Sequence, residues 1–229
     1  KSMEEELGIT FTVSSEDGCL KIAASGENGH ASTPWKGKNA LTGLLALIER
    51  LPLAECGQLK AVRALNHLMP HGDWFGAGLG IQMSDEESGE LTLAFSMLDI
   101  SEKSLEGEFD SRCPICATKE NTIDVIRKNM EAEGISFNTE ELEPPHHVPA
   151  DSDFVKTLLS AYESYSGRKG ECIAIGGGTY VHHLKNGVAF GACLPETENH
   201  MHGPDEFAVV DELLMSAKIF AQVIVDLCS

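Results

Sequence analysis

Two hydrophobic periods alternate along this chain, and their order predicts its elements. Residues 9–25 hold two β-type runs around Glu16-Asp17-Gly18, a turn-forming cluster, which predicts a hairpin. From Asn39 to Leu51 the apolar positions Leu41, Leu44, Leu45, Ile48 and Leu51 keep helical spacing, and Pro52 stops them. A second helix is predicted from Leu59 to Met69, ended by Pro70-His71-Gly72-Asp73. Residues 76–83 and 90–98 read as a further hairpin, with Leu91, Leu93, Phe95 and Met97 on one face. In 105–113, Leu105, Gly107, Phe109, Ser111 and Cys113 share one face, and Glu106, Glu108, Asp110 and Arg112 share the other. A helix follows, with Thr118 as N-cap, a stripe of Ile123, Ile126 and Met130, and Gly134 as its stop. Residues 135–142 are predicted to form a strand.

Residues 1–143 therefore read as an α+β module of antiparallel sheet with helices, in one block or two small ones. Glu143-Pro144-Pro145-His146-His147-Val148-Pro149 is stiff and extended, since each proline restricts itself and its predecessor. It reads as a crossover into a second domain, 144–229. There the pattern predicts a helix over 153–166, a strand over 171–175, the turn Gly176-Gly177-Gly178-Thr179, a helix over 179–185 and a strand over 187–192. A closing helix starts at Asp211 and carries Leu214, Ala217, Ala221, Ile224 and Leu227. That order suits an α/β layer.

Composition narrows the function classes. Hydrophobic residues make up 42% of the 229, enough for a packed core. The net charge of −19 disfavours nucleic acid and anionic membrane surfaces as partners. Seven scattered cysteines fit a reducing, cytoplasmic setting better than a disulfide framework. No apolar stretch reaches the length of a membrane span. The opening Lys1-Ser2-Met3-Glu4-Glu5-Glu6 lacks a signal-peptide core and reads as an arbitrary cut.

Several positions could carry chemistry. A strand, three glycines and Thr179 at a helix start would make an anion site, better matched to a small carboxylate than to a triphosphate because no Walker-type lysine follows. A tight turn is the plainer reading. His202, in Asn199-His200-Met201-His202-Gly203-Pro204-Asp205-Glu206-Phe207, is a loop histidine that could ligate a metal, with Asp205 or Glu206 orienting it. His200 is a weaker candidate. His30 lies among small residues in Gly26-Glu27-Asn28-Gly29-His30-Ala31-Ser32-Thr33-Pro34, which would let a ligand approach. Arg112 reads either as a partner of Glu106, Glu108 or Asp110 or as a bidentate clamp on a substrate carboxylate. Cys113-Pro114-Ile115-Cys116 has zinc or redox spacing but no second pair, so strand-end cysteines are the plainer reading. The pairs His146-His147 and His182-His183 read as loop and helix residues, because adjacent side chains diverge.

Taken together, these segments resemble the M20 metallopeptidases, most closely the bacterial PepV-like dipeptidases. Gly29-His30-Ala31-Ser32-Thr33-Pro34 with Gly37-Lys38-Asn39-Ala40 is similar to the family's lid motif. Ile175-Gly176-Gly177-Gly178-Thr179-Tyr180 with Gly187-Val188-Ala189-Phe190-Gly191 is similar to its carboxylate-binding segment, and Met201-His202-Gly203-Pro204-Asp205-Glu206-Phe207 to its last metal-ligand segment. The resemblance implies a lid module followed by the C-terminal α/β part of a zinc-peptidase catalytic domain. It implies dipeptide hydrolysis at a dinuclear zinc (or manganese) centre. His202 would be a metal ligand and His30 the group that polarises the scissile carbonyl. Arg112, Gly177, Gly178 and Thr179 would hold the substrate carboxylate. The family places its remaining metal ligands and general base in an N-terminal catalytic half that this chain does not match. The expected partners are therefore a dipeptide and that half, in a monomer or homodimer, with this chain inactive alone. The rival expectation is a non-catalytic peptide- or anion-binding or dimerisation module.

Overall fold

The computed structural model describes residues 2–191, 193–201 and 204–229. The chain is mixed α/β and divides into two compact units. One comprises Lys1–Pro145 with Ala174–Gly177, the other His146–Ile173 with Gly178–Ser229.

In the first unit, α1 (Ser2–Leu7) leads into β1 (Thr10–Glu16) and β2 (Cys19–Ser25), an antiparallel hairpin turning at Asp17-Gly18. Both turn residues have positive φ, as a tight two-residue turn requires. A 3₁₀ turn, Pro34–Lys36, precedes α2 (Ala40–Arg50). Asn39 caps α2 by accepting from Leu41 and Thr42 N–H, and its amide also donates to Phe95 O at 2.7 Å. One residue thus starts the helix and ties it to the sheet. Next come α3 (Gly57–Leu68), a minimal hairpin of β3 (Ser84–Asp85) and β4 (Gly89–Glu90), then β5 (Thr92–Ile100) paired antiparallel with β6 (Leu105–Arg112). The helix α4 (Ile123–Ala132) closes the unit. Its core gathers Leu45, Leu65, Leu79, Leu93, Phe95 and Ile126 from these elements.

Within this unit the structure changes the expected elements in four places. Residues 76–83 form turns rather than a strand. Gly76 and Gly80 take positive φ, and the Asp73 carboxylate accepts from Phe75, Ala77 and Gly78 N–H, so the backbone is satisfied locally instead of by a ladder. Leu79 and Ile81 are buried all the same. Second, the β5 alternation breaks at a bulge between Phe95 and Met97. Leu91, Leu93 and Phe95 face the core, but the extra residue reverses the phase, so Met97 is 56% exposed and Leu98 and Ile100 pack inward. Third, Thr118 caps a turn before α4 instead of the helix itself, exchanging hydrogen bonds with Asn121. Fourth, residues 135–142 run extended without a ladder, although Ile135 and Phe137 pack on the core and Thr139 O accepts from Arg127.

The second unit packs α5 (Asp153–Ser166) on α6 (Val210–Cys228) through Leu158, Ala161, Ile219 and Val223. Ser152 caps α5, and Gly167 ends it with φ 68°. Asp211 lies in the first turn of α6 beyond its cap residue Val209, where its charge still favours the helix dipole. The strands expected over 171–175 and 187–192 and the helix over 179–185 are absent among the described residues. Turns closed by Thr179, Val181 and Leu184 carbonyls occupy 179–187. A strand needs a neighbour for its N–H and C=O groups, and neither apolar run has one here. Among the described residues no helix is long and apolar enough to cross a membrane. All seven cysteines are free.

Candidate functional site

The candidate site is built at the start of β5, where Thr92 is the ladder partner of Arg112. Directly opposed residues of an antiparallel pair carry their side chains on one face. Thr92 is buried, and its hydroxyl donates to Ala31 O at 2.8 Å. The His30 loop is therefore fixed to the residue that stands beside Arg112. Gly176 completes the arrangement. A Cβ there would lie 3.0 Å from Ser32 Cβ and 3.1 Å from Arg112 Cβ. Only a residue without a side chain lets this backbone approach so closely without displacing either neighbour. Around Gly177 a Cβ would meet nothing within 4 Å, so the turn opens into space at the next residue.

The hydrogen bonds of His30 define its tautomer. Ser32 N–H donates to Nδ1 at 3.2 Å, and Ser32 Oγ lies 2.7 Å from the same nitrogen. A backbone N–H can only donate, so Nδ1 is the acceptor and the neutral ring carries its proton on Nε2. An imidazole Nε2–H is a donor suited to an oxygen on which negative charge develops.

Arg112 donates one Nη–H to Asp110 Oδ2 at 2.6 Å, while its Nε is buried without a hydrogen-bond partner among the described residues. Of the two readings of this arginine, the Asp110 pair is present, and it leaves most of the guanidinium fork uncommitted. The loop that follows is pinned in turn. Asp85 accepts from Cys116 N–H at 3.1 Å, and Ser88 Oγ accepts from Ile115 N–H at 2.8 Å. Hydrogen bonds from Ser88, with smaller contributions from Cys116 and Glu87, hold the Asp85 carboxyl down at about 2. A carboxyl lowered on folding stabilises the native state above its unfolded value of 3.8. That contribution is lost as pH falls through about 2. Asp85→Asn is expected to flatten this acid limb, read from urea midpoints stepped from pH 5 downward.

The remaining sequence candidates separate. Burial pushes the Cys113 thiol up, and desolvation followed by the Asp85 charge does the same for Cys116. Raised thiols carry little reactive thiolate, which suits strand-end cysteines. Gly178 and Thr179 belong to the second unit, and the turn that follows them replaces the helix N-terminus an anion site would use. His202 and Gly203 lie outside the described residues. Phe207 N–H donates to Asn199 O at 3.2 Å, and His200 stands edge-on to Phe207 at 5.8 Å. Among the described residues no group of three or more His, Cys, Asp or Glu side chains could hold a metal ion. The described residues thus do not by themselves fit a metal centre.

Two groupings were invisible in the linear sequence. His146, far from His182 in the chain, lies 5.7 Å from it ring to ring, and His182 lies 5.3 Å from His183. Trp35, Phe75 and Trp74 form a contiguous aromatic surface beside β5, with ring separations of 5.9 and 6.5 Å. A tryptophan five residues after His30 was the available signal for the second group, but its partners come from a separate turn.

Residues 5–226 match the family described as peptidase family M20/M25/M40. The chain belongs to that family. It is 36% identical over 213 residues to YtjP of Bacillus subtilis (strain 168), which carries a provisional dipeptidase name, covering 93% of this chain and 45% of that protein. It is 32% identical over 226 residues to a beta-Ala-Xaa dipeptidase of Lactobacillus delbrueckii subsp. lactis, covering 98% of this chain and 47% of that one. A dipeptidase-named protein of Staphylococcus epidermidis is 29% identical over 214 residues. The chain spans about half the length of these curated relatives of the M20 family.

Proposed function

We propose that the whole protein is an M20 dipeptidase and that this chain supplies its lid (1–143) and the C-terminal portion of its catalytic domain (144–229). The observation that carries the reading is the juxtaposition of two M20-like segments, the His30 loop and the Gly176 turn, with Arg112 at one end of the β5–β6 ladder. In this reading Arg112, with Gly177, Gly178 and Thr179, holds the C-terminal carboxylate of a short peptide. His30 Nε2–H then donates to the scissile carbonyl oxygen as charge builds on it. His202 is one ligand of a dinuclear zinc or manganese centre whose other ligands come from a further catalytic portion of the polypeptide. When bound, the metal would supply Lewis-acid activation of water and carbonyl. In this reading the protein is cytoplasmic and a monomer or homodimer.

Two features support a further catalytic portion. The relatives are about twice as long as this chain. The helix α6 is apolar on more than the stripe that meets α5: Leu214, Ile224 and Val225 are exposed, Ile224 by 62%. An apolar helix face of this breadth is ordinarily covered.

The test is an assay of the purified chain on Xaa-His dipeptides with added zinc or manganese, beside a longer polypeptide carrying the upstream portion. Turnover is expected from the longer protein alone. Turnover by this chain with tightly held stoichiometric metal would overturn the partial-site reading. A monodisperse, metal-free dimer in light scattering, with neither protein turning over, would favour the binding or dimerisation module.

A further inference from the structure

Both tryptophans of this chain, Trp35 and Trp74, are exposed, by 43% and 38%, and both lean on Phe75. Isolated apolar residues on a surface are ordinary, but a contiguous group of three rings marks a binding surface. The backbone beneath them is anchored. Trp35 sits in the 3₁₀ turn Pro34–Lys36, whose ends are bonded through Lys36 N–H to Thr33 O and Gly37 N–H to Pro34 O. Trp74 O accepts from Leu93 N–H at 2.8 Å, and Asp73 accepts from Phe75 N–H. Rings held this way offer a large contact area with little ordering left to lose on binding.

The position of the surface says what it serves. The loop bearing Trp35 is tied at Ala31 to Thr92, and the turn bearing Trp74 is tied to Leu93. Thr92 and Leu93 are the ladder partners of Arg112 and Ser111. The aromatic surface and the candidate carboxylate anchor therefore hang on the same two consecutive residues of β5.

We propose that Trp35, Phe75 and Trp74 form the side-chain subsite of this site, so that its preferred ligands are dipeptides carrying an aromatic side chain and a free carboxylate. The proposal deepens the dipeptidase reading and rests on it for the role of Arg112. Ring-on-ring contact adds to simple area burial. Together they give an aromatic dipeptide an advantage of about tenfold in affinity over an alanine one.

Because no third tryptophan is present, emission excited at the red edge of tryptophan absorption, where the three tyrosines do not absorb, reports on this surface alone. The experiment titrates the full chain with alanyl-phenylalanine, alanyl-alanine and alanyl-phenylalanine amide, following tryptophan emission and, in parallel, heat. Alanyl-phenylalanine is expected to shift the emission saturably and to bind about tenfold more tightly than alanyl-alanine. Trp35→Ser should remove that preference, whereas Trp35→Phe, which keeps a ring, should hold it within about threefold. Far-UV circular dichroism of both variants checks that they fold, and Trp74→Phe gives a single-reporter chain if Trp35→Ser does not. Equal affinity for the two dipeptides, or no emission change with alanyl-phenylalanine, overturns the proposal. The amide separates this failure from that of the underlying reading. Dependence on the carboxylate without aromatic preference sinks the aromatic subsite alone. Aromatic preference without dependence on the carboxylate keeps the subsite and sinks the role given to Arg112.

Discussion

Arg112→Ala is expected to lower kcat/KM of the whole protein on a dipeptide by roughly ten- to a hundredfold. Hydrogen bonds to a charged group contribute about 1.5–3 kcal/mol, and each ~1.4 kcal/mol is a factor of ten in rate. The guanidinium is suited to the task because, among the described residues, one Nη is committed, to Asp110 at 2.6 Å. That aspartate holds the fork in place while leaving donors for a planar carboxylate. Arg112→Lys should recover little, since an ammonium cannot reproduce the fork. A dipeptide amide should be hydrolysed equally poorly by wild type and variant. If the amide were as good a substrate as the acid, or if Arg112→Lys restored full activity, the carboxylate-clamp role would fail. The fold should survive the change, because Arg112 sits at a strand end and its ion pair is partly exposed.

Phe95→Ala is expected to remove about 3–5 kcal/mol of stability, the usual cost of emptying an aromatic site in a packed core. Phe95 is 4% exposed, and its ring lies so close to Gly107 that an added Cβ there would approach its Cε2 to 3.2 Å. A loss of that size is a large part of the total stability of an ordinary domain, about 5–15 kcal/mol. Met97→Ala, two residues along, should change stability by about 0.5 kcal/mol or less, because the bulge turns Met97 to solvent. The measurement is a pair of urea unfolding curves followed by circular dichroism, with the midpoint read at constant slope. Equal losses at the two positions would mean that the strand keeps one phase and the bulge is wrong.

The contrast between these two residues shows where the sequence stops being legible. Leu91, Leu93, Phe95 and Met97 follow an unbroken period of two, and nothing local distinguishes Met97 from the others. The bulge is a property of the pair β5–β6, since it depends on which residue of β6 each residue of β5 meets. Residues 76–83 fail for a related reason. Their apolar residues are buried as expected, but the Asp73 carboxylate satisfies the N–H groups that a strand would have offered to a neighbour. Apolar runs at 171–175 and 187–191 carry a strand-like pattern that only a partner strand could turn into sheet.

For the candidate site, the linear pattern marked His30, Arg112 and the glycine turn as separate chemical possibilities and said nothing of what joins them. Thr92, which ties the His30 loop beside Arg112, is an ordinary strand threonine in the sequence. Gly176 reads as one of three turn glycines, and its closeness to Ser32 and Arg112 is a long-range contact. The aromatic surface is not legible in the sequence because its two halves come from separate turns.

By itself the sequence determined the β1–β2 hairpin, the helices α2, α3, α5 and α6, the mixed α/β class and membership of the M20 family. Each of these is written in short-range signals: caps, stops, turn residues, one hydrophobic period sustained long enough, or motifs in a particular order. Only the tertiary structure decided the phase of β5 beyond Phe95, the turn character of 76–83, and the gathering of His30, Arg112, Gly176 and the three aromatic rings at one end of a ladder. Those outcomes depend on hydrogen bonds and close approaches between residues far apart in the chain. A side chain's identity does not state which distant backbone it will meet.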